Sequence, residues 1–157
     1  MTLPLYPIDS VIPQRPPMAL IDEIVAREAD SIIALVTIRS SGLFFQLGHG
    51  IPSHVGLEWM AQACAAFAGA KALDEAGTVK VGFLLGTRNF QANRYWFTEG
   101  ERLYVRARLE YRDDELANFA CEIADSIDGP AIAKASLNVF HPNDALALIR
   151  SQASPPS

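Results

Sequence analysis

Residues 53–74, SHVGLEWMAQACAAFAGAKALD, make a helix-length run without a polar face. Seven alanines lie between 61 and 72, beside Val55, Leu57, Trp59, Met60 and Phe67. Pro52 opens the run, Ser53 is in place to cap it, and Gly77 is a plausible stop. A helix that is apolar all round has to be buried. Its small side chains let other backbone approach closely. The rest of the chain must therefore supply cover on most sides of one helix.

Strands are the available cover. MALIDEIVAREADSIIALVTI (18–38) reads as two strands with the turn at Asp30–Ser31. SSGLFFQLGHGIP is rich in glycine and reads as a loop. VKVGFLLG (79–86) is a continuous apolar run, as expected of a strand covered on both faces. RLYVRARLEYR (102–112) alternates. Leu103, Val105, Ala107, Leu109 and Tyr111 point one way, and an arginine-rich set points the other. ANFACEIADSI (117–127) and AIAKASLNVF (131–140) follow, with Asp128-Gly129 as a two-residue hairpin signal. The order is two strands, one helix, four strands. The expected class is α+β, an antiparallel sheet wrapped around one long central helix, in a single domain over 1–157. Its core spans about 8–141. Pro13, Pro16 and Pro17 limit the lead-in to one short helical turn at Ile8–Val11, and 142–157 reads as a flexible tail.

Half of the 157 residues are hydrophobic, enough for a proper core. A net charge of −5 argues against a nucleic-acid partner. The proline-rich start does not read as a signal peptide, and Glu58 and Gln62 interrupt the apolar run too early for a membrane span. Cys64 and Cys121 sit in apolar, periodic contexts and read as reduced core residues of a cytoplasmic protein. No second ligand lies at a metal-like spacing, and no metal or other cofactor is implied.

The chemistry-bearing residues stand out against this greasy background. Glu58 is a carboxylate in the helix that should be most buried, a costly placement unless it is paired or used. His54 lies four residues before it and Gln62 four after, on one helical stripe. His49 sits in the loop between two glycines, and His141 at the end of the last strand is expected at the surface. The helix N-terminus at Ser53, Val55 and Gly56 is expected to offer backbone N–H groups to a developing oxyanion. No nucleophile elbow, phosphate loop or dinucleotide fingerprint is present. An acid, an imidazole and a helix end in an apolar setting suit proton transfer beside the carbonyl of an apolar acyl chain.

IPQRPPMALIDEIV is similar to the opening LPHRYPFLLVDRV of the hotdog-fold 3-hydroxyacyl-ACP dehydratases of the FabA/FabZ type. GLEWMAQA resembles their helix motif L-x-x-E-A-x-A-Q. VGFLLGTRNF and AKASLNVF resemble their third and last strands, so the likeness spans about residues 8–141. Within that group LEWMAQA and GFLLGTR most resemble the ApeP-like dehydratase proteins of aryl-polyene and related polyketide-type gene clusters.

The resemblance implies a mechanism. A histidine removes the C2 proton of a 3-hydroxyacyl thioester, a carboxyl on the central helix protonates the leaving hydroxyl, and the helix N-terminus holds the thioester oxygen. It implies a homodimer or a heterodimer with another hotdog protein, because each site draws residues from two subunits. Glu58 matches the helix acid. The histidine does not transfer cleanly: the family writes G-H-F-P-x-x-P-x-x-P-G-V-x-x-x-E, and this chain writes G-H-G-I-P-S-H-V-G-L-E. His49 keeps the Gly-His pair, whereas His54 stands four residues from Glu58 and is slightly favoured on helical geometry. Ser53, Val55, Gly56, Gln62, Phe83 and Gly86 are the expected substrate-binding residues. An acidic acyl carrier protein would dock on local cations such as Arg88 and Arg94. The arginine row at 102, 106, 108 and 112 reads as an ordinary wet sheet face. Three further functions remain open: a hotdog thioesterase using Glu58 alone, a noncatalytic subunit of a hetero-oligomer, and an acyl-binding module.

Overall fold

The computed structural model describes residues 2–77 and 83–140, with the side chains of 83–85 left aside. In chain order these form β1 (Glu23–Glu28), β2 (Ser31–Thr37), β3 (Ile51–Pro52), a 3-10 turn (Ser53–Val55), α1 (Gly56–Asp74), β4 (Phe83–Ala92), β5 (Trp96–Phe97), β6 (Arg102–Asp113), β7 (Leu116–Ala124) and β8 (Ala133–Phe140). Six strands make one antiparallel sheet in the order β1-β2-β6-β7-β8-β4, and β3 pairs with β5 in a small second sheet. The helix lies across β2, β6, β7 and β8. This is the expected α+β hotdog architecture.

The period-2 pattern builds the inner face. Leu103, Val105 and Ala107 of β6, Phe119, Cys121 and Ile123 of β7, and Ala133, Ala135 and Leu137 of β8 are buried under the helix. From α1 come Trp59, Met60, Ala63, Cys64, Ala66, Phe67 and Ala70. Trp59 packs on Phe97 at 5.2 Å between ring centroids, and Phe67 meets Phe119 edge-on at 5.5 Å. Cys64 and Cys121 are free and buried, with their sulfurs 3.7 Å apart, and burial pushes the Cys64 thiol well up. The helix is not covered all round. Leu57, Ala61, Ala65 and Ala68 form a stripe left half-buried in the single chain.

Several strand boundaries differ from those read in the sequence. The first hairpin turns at Ala29–Asp30, so that Glu28 pairs with Ser31. A bulge between Leu109 and Tyr111 breaks the alternation of β6. Tyr111 therefore leaves the buried set and is 56% exposed, on the face shared with Asn118. The β7–β8 connection is not a two-residue hairpin. The ladder closes at Ile123–Ala133, because Pro130 directly after Gly129 has no N–H to continue it. β4 runs well past Gly86, through bulges at Leu84/Gly86 and Arg88/Gln91, with Asn89 at φ 57°. Residues 79–82 of the expected strand, His141 and the tail 142–157 lie outside the described residues. The short strands β3 and β5 carry no sequence pattern of their own.

The lead-in is a structural element. After a 3-10 turn at Ile8–Ser10, Val11 and Ile12 are buried against α1. A Cβ on Gly69 would run into the Val11 carbonyl oxygen, so the helix has a glycine where the segment crosses it. Arg27 ties three pieces together. Its guanidinium donates to the Pro4 carbonyl at 2.8 Å and grips Asp74 at the helix end with bonds of 3.2 and 2.7 Å, while Tyr6 donates its hydroxyl to the same carboxylate at 2.8 Å. The Arg27 hydrogen bond holds the Asp74 carboxyl below the usual carboxylate range, with the Tyr6 bond adding to it against the opposing effect of burial.

Two predictions follow from this packing. Gly69→Ala will lower stability by about 1–3 kcal/mol in chemical denaturation, whereas Gly86→Ala will not, since a Cβ there meets nothing within 4 Å. Asp74→Asn will destabilise the protein at neutral pH. A depressed carboxyl contributes stability above its unfolded pKa and loses it as pH falls, so the gap between variant and wild type will close below about pH 4.

Candidate functional site

Glu58 stands in the first turn of α1 and is half-buried. One turn on, Gln62 is fully buried, the only polar residue buried as a whole among the described residues. Its Nε2 donates to Glu58 Oε1 at 3.1 Å and to the Met18 carbonyl at 2.8 Å, and its Oε1 accepts the Leu20 N–H at 2.8 Å. A buried amide satisfied on three sides has one orientation. Gln62 thus fixes one oxygen of the carboxyl and ties the extended segment 18–20 to the helix. Glu58 makes no ion pair among the described residues, and its second oxygen, Oε2, has no protein partner there.

The histidines are placed differently. His49 sits between Gly48 (φ 82°) and Gly50 (φ 120°), its N–H bonded to the Gln46 carbonyl at 3.0 Å. A Cβ at position 50 would strike the Phe97 carbonyl oxygen, so β5 passes directly behind the loop. The His49 ring stacks on Trp96, with centroids 4.7 Å apart and planes 19° from parallel. His54 lies on the 3-10 turn ahead of α1. It is exposed, and its imidazole makes no hydrogen bond among the described residues. The expected α-helical stripe His54–Glu58–Gln62 is therefore realised only in its second half.

The other expected substrate residues divide. Ser53 does not cap the helix with its side chain; its N–H donates to the Tyr95 carbonyl at 2.7 Å and extends the β3–β5 pairing. The Gly56 N–H is taken by the carbonyls of the 3-10 turn. Two of the N–H groups expected to be open are thus in use, because the helix begins with a tight turn. Val55 is in the core, and a Cβ on Gly56 would come within 2.6 Å of Ile123 Cδ1, so Gly56 is a packing glycine. Gly86 opens instead onto a cavity of about 340 Å³ with Thr87, Arg88, Tyr111, Leu116 and Asn138. It pairs with Asn138, next to the buried Leu137, and so belongs to the sheet face turned away from α1. The Phe83 side chain lies outside the described residues.

Of the two expected docking cations, Arg88 is exposed. Arg94 is committed elsewhere: it bonds Glu101 at 2.7 Å and lies over the Phe97 ring at 5.1 Å. In the arginine row, Arg106 pairs with Glu122 at 2.8 Å and also donates to the Gly129 carbonyl. The reading of the residues missed two partners, the Met18–Leu20 backbone for Gln62 and the Trp96 ring for His49. The one signal for the first was a lone glutamine inside an alanine-rich helix.

The model of the ApeP-like dehydratase family, described as ApeP dehydratase, matches residues 6–150. The chain belongs to this family. It is a dehydratase, a hydro-lyase, by that membership. Among solved structures it is similar to the dehydratase heterocomplex ApeI:P from Xenorhabdus doucetiae, at 27% identity and TM-score 0.83 over 95% of this chain and 99% of that one. At 10% identity it shares its fold with a hypothetical thioesterase from Streptococcus pneumoniae solved with coenzyme A (TM-score 0.60, 76% and 84% covered). The E. coli PaaI protein is alike to the same degree, with TM-score 0.58 over 74% and 80%. No curated protein matches the sequence. No helix among the described residues is long and apolar enough to cross a membrane.

Replacing Gln62 tests the clamp. Gln62→Leu leaves the Leu20 N–H and the Met18 carbonyl without their partner. Stability should fall by about 1–3 kcal/mol for each group left buried and unsatisfied, measured by thermal denaturation.

Proposed function

We propose that this dehydratase converts a 3-hydroxyacyl thioester on acyl carrier protein to the trans-2-enoyl thioester. Glu58 acts as the acid and His49 as the base. The observation that carries the reading is the carboxyl of Glu58 set on a buried neutral amide with its second oxygen free. In the reaction the base takes the proton from C2. The C–H electron pair becomes the C2=C3 double bond, and the C3–O bond breaks as Glu58 gives its proton to the departing hydroxyl, which leaves as water. Deprotonated Glu58 and protonated His49 are restored by exchange with solvent.

His49 is preferred to His54 because its ring is held by a stack and a bonded loop, whereas the His54 ring has no partner among the described residues. His49 and Glu58 need not serve the same pocket within one chain. The half-buried stripe Leu57, Ala61, Ala65, Ala68 supports packing of α1 against a second hotdog helix. β4, at one end of the sheet order, supports joining of two sheets. The ApeI:P structure is a heterocomplex, and its likeness supports a heterodimer with another hotdog subunit. Arg88 is the docking cation in this reading, and Arg94 is not. The free thiols of Cys64 and Cys121 support a cytoplasmic setting.

The test is mass spectrometry of a 3-hydroxyacyl-ACP incubated with the purified protein, alone and with any hotdog subunit that co-purifies. Loss of one water is expected, slowed roughly 10²–10⁴-fold by Glu58→Gln and by His49→Ala but not by His54→Ala. Release of free acid would make the protein a thioesterase. Dehydration that survives Glu58→Gln would assign the chemistry to the partner subunit.

A further inference from the structure

The segment that Gln62 holds carries an exposed apolar side chain. Met18 is 43% exposed, yet its backbone is fixed on both sides. Its N–H donates to the Arg15 carbonyl at 2.8 Å, and its carbonyl accepts from Gln62 Nε2 at 2.8 Å. The same Nε2 holds Glu58 Oε1 at 3.1 Å, so the Met18 carbonyl and the candidate acid are neighbours on one nitrogen. Of the large hydrophobic side chains exposed among the described residues, Met18 is the one bonded into the Glu58 network. Four residues earlier, Gln14 has a buried Oε1 with no donor in reach among the described residues.

We infer that Met18 is a specificity-determining residue: its side chain forms the wall against which the acyl chain of the substrate lies as C3 is brought to Glu58. The inference rests on the assignment of Glu58 as the acid. A methionine suits the role, because an unbranched thioether on a fixed backbone adapts to an apolar chain by rotamer changes alone. The apolar acyl chain supplies the apolar partner that the exposed Met18 side chain lacks.

Changes at Met18 should therefore alter the choice among acyl chains rather than the chemical step. The experiment compares wild type, Met18→Ala, Met18→Phe and Glu58→Gln, each in the oligomer in which it purifies, on a short and a long 3-hydroxyacyl-ACP. The readout is the ratio of kcat/KM for the two substrates, which does not depend on the fraction of protein that is folded. Met18→Ala and Met18→Phe should move that ratio in opposite directions, by about tenfold between them, while Glu58→Gln lowers both substrates alike. An unchanged ratio in both Met18 variants, with Glu58→Gln inactive, overturns the role of Met18 and leaves the acid in place. An active Glu58→Gln overturns the assignment of the acid instead. A change in complex mass with an unchanged ratio would show that Met18 contacts the partner subunit and not the substrate.

Discussion

A buried primary amide can be satisfied only where other chain segments bring it one acceptor for each N–H and a donor for its oxygen. Gln62 finds all three, and the site follows from that. The Leu20 N–H and the Met18 carbonyl dock the segment before β1 onto the helix, and the remaining N–H orients Glu58. An apolar residue at 62 would suit the core around it equally well. It would leave two backbone groups of the segment without partners and the carboxyl without a fixed oxygen. The same side chain thus ties the segment to the helix and orients Glu58, and its full set of bonds is why a polar group is tolerated at zero exposure in an alanine-rich helix.

The arrangement also separates acid from cation. Charged pairs among the described residues lie elsewhere, such as Arg27–Asp74 at the far end of α1, Arg39–Asp22 beside the start of β1, Arg94–Glu101 behind β5, and Arg106–Glu122 on the outer sheet face. Glu58 is given a neutral partner. A guanidinium there would neutralise the carboxylate and compete for both oxygens in a bidentate fork. An amide occupies one oxygen and leaves the other free, as the proposed role of Glu58 as proton donor requires.

Much of this was legible in the sequence where the signal is periodic and local. The all-round apolar run at 53–74 demanded a covered helix, and the alternation from Leu103 to Ala107 supplied an inner sheet face. Glu58 and Gln62 stood out by composition alone. What failed was non-local or aperiodic. β3 and β5 are two residues each, too short for any period. β4 was ended too early, at Gly86, because two bulges and the positive φ of Asn89 erase its alternation. Tyr111 was put in the core because a bulge cannot be read from residue types. Arg94 looked free because the turn that delivers Glu101 lies between them, and the partners of Gln62 are 42 and 44 residues away.

The division of the proposed site between a loop and the first turn of α1 follows from the same geometry. Had an α-helix begun at Ser53, His54 would stand one turn above Glu58, and acid and base would compete for each other as an i,i+4 pair. The 3-10 turn and the bond from the Ser53 N–H to the Tyr95 carbonyl prevent this by using the start of the run to hold β3 against β5. His54 is left at the surface, and the imidazole with a fixed ring is His49, carried by the loop that β5 backs. In the proposed reading, base and acid then belong to separately anchored pieces, a loop stacked on Trp96 and a helix turn clamped by Gln62. A second subunit laid along the half-covered stripe of α1 can bring the two kinds of piece together without either being strained.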